Sequence, residues 1–363
     1  MRPAAATTGA ARRRARLAVA AAASIAVACV TTYEPAEPGD GEALPFAAPV
    51  SIPLTELGGA GSSRVQLEFF GGILRRLQDA AADGDAALID SLVESYDLPN
   101  VPESFRQHLV GYRAIARGIR FQQHVQQRGL LRLVGDAAEP APAPEAARRA
   151  PPLGEPLRLE LELPPMTDAV RLGALGDDDP VGFSVGVTVE DEFVDGSSRE
   201  SQSKEFLWLP RAIELRDESL SLPVEVGAAA GDAVRRSVVV RVDLMPGYVT
   251  IDELRAPIQR VTAGAITCTQ WPVGYEVLAE QPLAALRAAL ADFNPKNYAG
   301  AYLSALLVPA QERREATALL IDQVRFGRAD QAQVAMAALH RTAGVNISVG
   351  DRDGWLSWWQ SRQ

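Results

Sequence analysis

Cysteine, lysine and histidine are almost missing from this chain. Its 363 residues include two cysteines, Cys29 and Cys268, two lysines, Lys204 and Lys296, and three histidines, His108, His124 and His340. No histidine has a second histidine, a cysteine or a glutamate at ligand spacing, so neither a metal site nor a cofactor is expected. Two thiols allow at most one internal disulfide, and the fold must hold mainly by packing. Nearly all the basic charge is arginine; with the many alanines this reads as coding bias rather than a set of phosphate-binding forks. The formal charge of −10 repels a phosphate backbone, so no nucleic-acid partner is expected. No segment after residue 29 has the long uncharged run of a membrane-spanning helix.

What is present begins with RRRARLAVAAAASIAVAC, residues 12–29. Arginines, a short apolar core and small residues before a break form the secretory signal pattern. The core, Leu17 to Ala28, is too short to span a bilayer as a helix. Two readings of Ala26-Val27-Ala28-Cys29 stand, and both cut before Cys29. Ala-x-Ala is an ordinary signal-peptidase site that would release a soluble periplasmic or secreted protein. The same residues resemble a bacterial lipobox, with Ala26 where that family usually has Leu. The resemblance implies lipid on Cys29 and a multiply acylated, firmly membrane-anchored N-terminus. Val30, where an inner-membrane retention signal has Asp, points to the outer membrane if the host has one. Removing residues 1–28 takes away five arginines and no acid, so the mature charge falls from −10 to −15. A lipidated Cys29 leaves Cys268 as the sole thiol, in the β-forming run Ala265–Trp271, where it reads as a small buried apolar residue.

The rest of the chain divides by period. Residues 29–61 have the Pro, Glu, Ala and Gly content of a flexible tether. Residues 62–134 read as a helical bundle: a capping box at Ser63-Arg64-Val65-Gln66, a stripe through Val65, Phe69 and Ile73, a break at Asp83-Gly84, and a third helix opened by Pro102 and running to about Gly129. Residues 135–154, with five prolines from 140 to 152, read as a linker. Residues 155–277 change to period two, with Leu157–Leu163, Phe183–Val189 and Val238–Leu244 alternating and Asp195-Gly196 marking a hairpin. This predicts an antiparallel β-sandwich. Residues 280–363 return to helical period. There QVAMAALHRTAG, a polar loop and DGWLSWW resemble the closing segment of bacterial HEAT-type helical repeat proteins. The resemblance covers about 331–363, is a packing motif and implies no catalytic residue. Asp351 or Asp353 is expected to cap the last helix. The fold class is therefore multidomain α and β: N-terminal bundle, central sandwich, C-terminal HEAT-like region.

Trp355, Trp358 and Trp359 share one face of that last helix, as a cap over its core or as a partner surface. Gly182-Phe183-Ser184-Val185-Gly186 matches the nucleophile-elbow pattern, yet Val185–Val189 extend a strand where the elbow needs a helix. Asp177-Asp178-Asp179 and Asp351-x-Asp353-Gly354 lack the alternating ligands and terminal Glu of a calcium loop. Glu190, Asp191 and Glu192 are consecutive on a strand, two facing one way and one the other. No catalytic residue is assigned. The function read from these features is a non-enzymatic cell-envelope lipoprotein, held in the membrane through Cys29, that binds or scaffolds another envelope protein. The alternative is an envelope-polymer hydrolase using carboxylates at a domain junction, which would need two of them converging on a cleft.

Overall fold

The structure, a computed structural model, describes residues 64–98, 101–134, 150–229 and 231–363. The expected signal peptide (1–28), Cys29, the expected tether, the expected cap at Ser63, Pro99 and most of the expected linker (135–149) lie outside the described residues. The described chain combines α-helices with three antiparallel β-sheets.

Three helices come first. α1 (Arg64–Ala82) ends at Asp83-Gly84, where Gly84 takes φ +70°. Asp85 then caps α2 (Ala86–Tyr96) by accepting the Leu88 N–H at 2.9 Å. α3 (Glu103–Arg128) follows Pro102, which occupies the N-cap rather than the first turn. Ile73, Leu74 and Leu77 of α1 pack with Ile89, Leu92 and Val93 of α2 and with Phe105, Leu109 and Ile119 of α3. Of the expected stripe Ile73 is buried, with Leu74 and Leu77 beside it, while Phe69 is 55 % exposed.

α3 then leaves this cluster. Its second half lays Phe121 and Val125 into the core of the sheets. Two glycines make the contact possible: a Cβ on Gly118 would lie 2.1 Å from the Pro257 carbonyl oxygen, and one on Gly129 would lie 2.1 Å from that of Ala263. Helix and strand backbones touch there, where any side chain would force them apart. Directly after Gly129 the chain becomes strand β1 (Leu130–Leu133), which pairs with β2 (Leu157–Leu163), Leu131 opposite Leu161. These residues, grouped with the helices by period, belong to a sheet because Leu131 and Leu133 find apolar cross-strand partners.

The strands β3 (Val170–Leu172), β4 (Gly182–Glu192), β5 (Ser198–Trp208), β6 (Ile213–Glu214), β7 (Leu220–Val226), β8 (Arg235–Leu244), β9 (Gly247–Ile251), β10 (Leu254–Ile258) and β11 (Val261–Gln270) complete the sheets. Their orders are β1-β2-β7, β10-β9-β3-β6 and β11-β8-β4-β5. Inward leucines and valines of β2, β4, β7 and β8 share one apolar cluster, with Cys268 buried in it. β7 runs through Pro223 because it is an edge strand, where a missing N–H costs no ladder bond. β9 and β10 are joined by Asp252 and Glu253 alone, both at positive φ (43° and 68°), a hairpin made without glycine. Arg117 of α3 donates to the Ile251 carbonyl at 3.0 Å and holds that hairpin against the helix.

The chain before β2 is docked from Ala150 on. Buried Gln270 donates its amide to the carbonyls of Pro151 (3.1 Å) and Glu155 (3.0 Å), and Leu153 N–H bonds the Trp271 carbonyl at 2.7 Å. The Pro-rich end of the linker is thus hydrogen-bonded to the end of β11.

Six helices close the chain: α4 (Tyr275–Glu280), α5 (Pro282–Ala291), α6 (Tyr298–Leu307), α7 (Arg313–Phe326), α8 (Ala329–Thr342) and α9 (Arg352–Gln360). Their core takes Leu286, Tyr302, Leu320, Val324, Leu339 and Trp355, with α8 contributing four buried alanines, Ala332, Ala335, Ala337 and Ala338. Asp351 caps α9, accepting the Gly354 N–H at 2.8 Å. Val194 and Val234 enter this core from the end of the β4–β5–β8 sheet. No helix of the described residues is long and apolar enough to cross a membrane.

Gly118→Ala should cost about 1–3 kcal/mol, the range for overpacking, because neither the α3 backbone nor Pro257 can yield alone. A drop in the urea midpoint checks this, with α3 separating from β10 as a loss of amide protection in residues 254–258.

Candidate functional site

The chemistry of the molecule concentrates where the sheet meets the C-terminal helices. β4 ends in Asp191 and Glu192, and the antiparallel register sets them opposite Arg236 and Arg235 of β8. Asp191 takes a two-pronged bond from Arg236, at 2.6 and 3.0 Å. The same guanidinium donates to the Gly227 carbonyl at 2.6 Å, fastening the β7–β8 connection. Glu192 is 2 % exposed. One of its oxygens lies 2.7 Å from Arg235 Nε in an off-axis ion pair; the other faces Arg341 Nε of α8 at 2.8 Å and accepts the Tyr302 hydroxyl of α6. A buried carboxylate costs several kcal/mol in desolvation unless charges and donors surround it, and here they do.

The turn that follows adds a steric contact. Asp195 accepts the Ser197 N–H (2.9 Å) and hydroxyl (2.6 Å), and Gly196 sits at φ +82°. A Cβ on Gly196 would lie 2.8 Å from the Ala337 Cβ of α8. The hairpin tip therefore rests directly on the helix, one turn from Arg341.

The expected site residues are spread over the molecule. Ser184 lies within β4, 5 % exposed, in a strand that continues to Glu192 with no elbow after it. It lines an open groove of about 490 Å³ on the outer face of the sheet, with Gly186, Thr188, Lys204, Val239 and Arg241. The carboxylate opposite it, Asp243, accepts from Arg241 (2.8 Å) and Thr262 (2.9 Å). His340 is elsewhere, its Nδ1 2.9 Å from the Ile347 carbonyl oxygen, and His124 Nε2 lies 2.9 Å from that of Pro164. Asp177–Asp179 line an open pocket of about 430 Å³. Arg255 grips Asp179 at 2.6 and 2.8 Å and holds its carboxyl below the usual range. Among the described residues no group of three or more His, Cys, Asp or Glu side chains could hold a metal ion.

The three tryptophans differ. Trp355 is fully buried in the helical core and donates its indole N–H to the Ser348 carbonyl at 3.0 Å. Trp358 and Trp359 are half-buried, packed on the same core, with Arg362 4.8 Å above the Trp358 ring. Trp355 is thus core, and any partner surface on this face belongs to Trp358 and Trp359.

The chain matches no family model, no curated protein and no solved structure.

Sequence reasoning singled out Glu190, Asp191 and Glu192 and missed Arg235, Tyr302 and Arg341. Only the pair Arg235-Arg236 left a signal. Two acids end one alternating strand and two arginines begin another, as antiparallel neighbours would arrange them.

Arg341→Ala should cost about 2–3 kcal/mol, less than the 3–5 of a fully orphaned buried charge because Arg235 still faces Glu192. In a Trp208→Phe/Trp271→Phe background, fluorescence from Trp355, Trp358 and Trp359 should then report unfolding of the helices at lower urea than circular dichroism of the sheet. Burial first, then the Glu192 carboxylate, raises the Tyr302 hydroxyl above its ordinary value of 10.0. The folded state keeps a proton that the unfolded chain gives up, so this contribution is whole below pH ~10 and fades as pH rises past it. The stability advantage of wild type over Tyr302→Phe should shrink between pH 8 and pH 11 in urea midpoints.

Proposed function

We propose that this chain is a non-enzymatic cell-envelope lipoprotein. It is acylated at Cys29, tethered through residues 29–61, and presents a helical bundle, a β-sandwich and a HEAT-like end as one platform for another envelope protein. The carrying observation is that the junction carboxylates are engaged by arginines. Asp191 and Glu192 face Arg235, Arg236, Arg341 and Tyr302 rather than each other across a cleft. A hydrolytic pair would need two carboxyl groups flanking a substrate; here Glu192 instead ties sheet to helices, and Asp191 ties β4 to β8. The open outer face of the β11-β8-β4-β5 sheet and the half-buried Trp358 and Trp359 are the surfaces such a platform offers. The outer membrane is the proposed location where the host has one, on the reading of Val30.

In-cell photocrosslinking from position 359, run in wild-type and Cys29→Ala backgrounds, tests this. Two lysines are too few for amine crosslinkers, which makes a photoreactive residue the suitable probe. Wild type should fractionate with membranes and yield one recurrent envelope protein; Cys29→Ala should become soluble or stay unprocessed and lose that adduct. A membrane fraction unchanged by Cys29→Ala, or no envelope protein captured by either form, overturns the proposal.

A further inference from the structure

β5 is the edge strand of its sheet, and among the described residues no strand pairs with its outer side. Its eleven residues, SRESQSKEFLW, are exposed from Ser198 to Glu205 on both faces. The strand projects past the core: the β4 residues opposite it, Val185, Val187 and Val189, are buried, while its own Ser201, Ser203 and Glu205 are not. An exposed edge of this length is a template for another strand, which charged side chains usually discourage. The order of the charges on β5 does the reverse.

The ladder fixes which groups face outward. Phe193 N–H donates to the Ser197 carbonyl, and Met245 N–H donates to that of Gly182. Antiparallel pairs alternate between bonded and non-bonded. Odd-numbered residues of β5 therefore turn their N–H and C=O toward β4, and Ser198, Glu200, Gln202, Lys204 and Phe206 turn theirs to the open edge. A second β5 can pair there antiparallel about a two-fold axis through Gln202. In that register Glu200 lies opposite the second copy's Lys204, and Arg199 opposite its Glu205, each pair on one face of the sheet, with Ser201 opposite Ser203. All four charges of the strand meet an opposite charge. An axis through Glu200 or Lys204 sets like charges against each other, and one through Ser201 or Ser203 leaves all four without an opposite partner. Cross-strand pairs of this kind are the unit of sheet stabilisation.

We propose that two copies of this chain associate edge to edge through β5, joining two four-stranded sheets into one continuous sheet. A two-fold interface needs a self-complementary patch, and Arg199-Glu200-x-x-x-Lys204-Glu205 is one. The present neighbours of these side chains are short-range and exposed: Gln202 donates to Glu200 at 2.8 Å, Arg199 lies 5.6 Å over Phe193 and Lys204 5.2 Å over Phe206. Pairing would set the two outer-face grooves side by side, since Gln202, Ser203 and Lys204 line their rims.

Sedimentation velocity of the full chain in detergent reads the association directly. Wild type should form a dimer that weakens in 1 M salt, where exposed charges are screened. Lys204→Glu and Glu200→Lys should each raise the dissociation constant by about tenfold to a hundredfold, and the double swap Glu200→Lys/Lys204→Glu should restore it. These side chains are exposed, so thermal unfolding of each variant, read at a concentration where wild type is monomeric, should match wild type. Gln202→Cys should give a disulfide-linked dimer on mild oxidation, because bonded antiparallel pairs hold their Cα atoms about 5.5 Å apart. Ser198→Cys, far from its symmetry mate, should behave as wild type. A monomeric wild type at ~100 μM, a Lys204→Glu dimer as tight as wild type, or a double swap that stays monomeric overturns the proposal.

Discussion

The carboxylate of Glu192 is the group on which the arrangement of sheet and C-terminal helices depends. It ends β4, is nearly inaccessible to water, and gathers Arg235 from the neighbouring strand, Arg341 from α8 and Tyr302 from α6. Apolar contacts such as Val194 and Val234 in the helical core bring the two regions together without direction. The ion cluster supplies the direction, because a buried charge tolerates only orientations in which its partners reach it. Gly196 against Ala337 removes the remaining freedom to slide.

The other long-range connection works without charge. α3 belongs to two apolar clusters at once, contributing Phe105 and Leu109 to the first and Phe121 and Val125 to the second. Bare backbone at Gly118 and Gly129 lets it lie on β10 and β11 more closely than side chains permit. The N-terminal helices are thereby continuous with the sheets, while the C-terminal helices are joined to them by an ion cluster set beside the apolar contacts of Val194 and Val234.

Where burial alternates, the residues announce the structure. The leucines of β2 and the valines of β4 and β8 have one wet and one dry face, and their period reads directly. β5 was announced only by the Asp195-Gly196 hairpin signal before it: Ser198–Glu205 has no apolar period, because the strand is held by the β4 ladder and covers nothing. The β9–β10 hairpin escaped because Asp252-Glu253 turns the chain without the glycine that signals such turns. The helical period of 280–363 was legible, and of the two acids expected at the start of the last helix, Asp351 and Asp353, it is Asp351 that accepts the Gly354 N–H. Of the junction, the acids were visible and Arg235-Arg236 left a signal, whereas Tyr302 and Arg341 left none, since they lie more than a hundred residues from Glu192 and reach it only through the fold.

The double membership of α3 also sets a folding order. Phe121 and Val125 need the surface that β10 and β11 complete, and those strands follow Val125 by more than a hundred residues. Until they are in place the C-terminal half of the helix carries an uncovered apolar face beside a first half that packs locally. The contact of α3 with Pro257 therefore joins a cluster of short-range contacts to a sheet of long-range ones, and the entropy of closing that long loop is met there rather than within the first three helices.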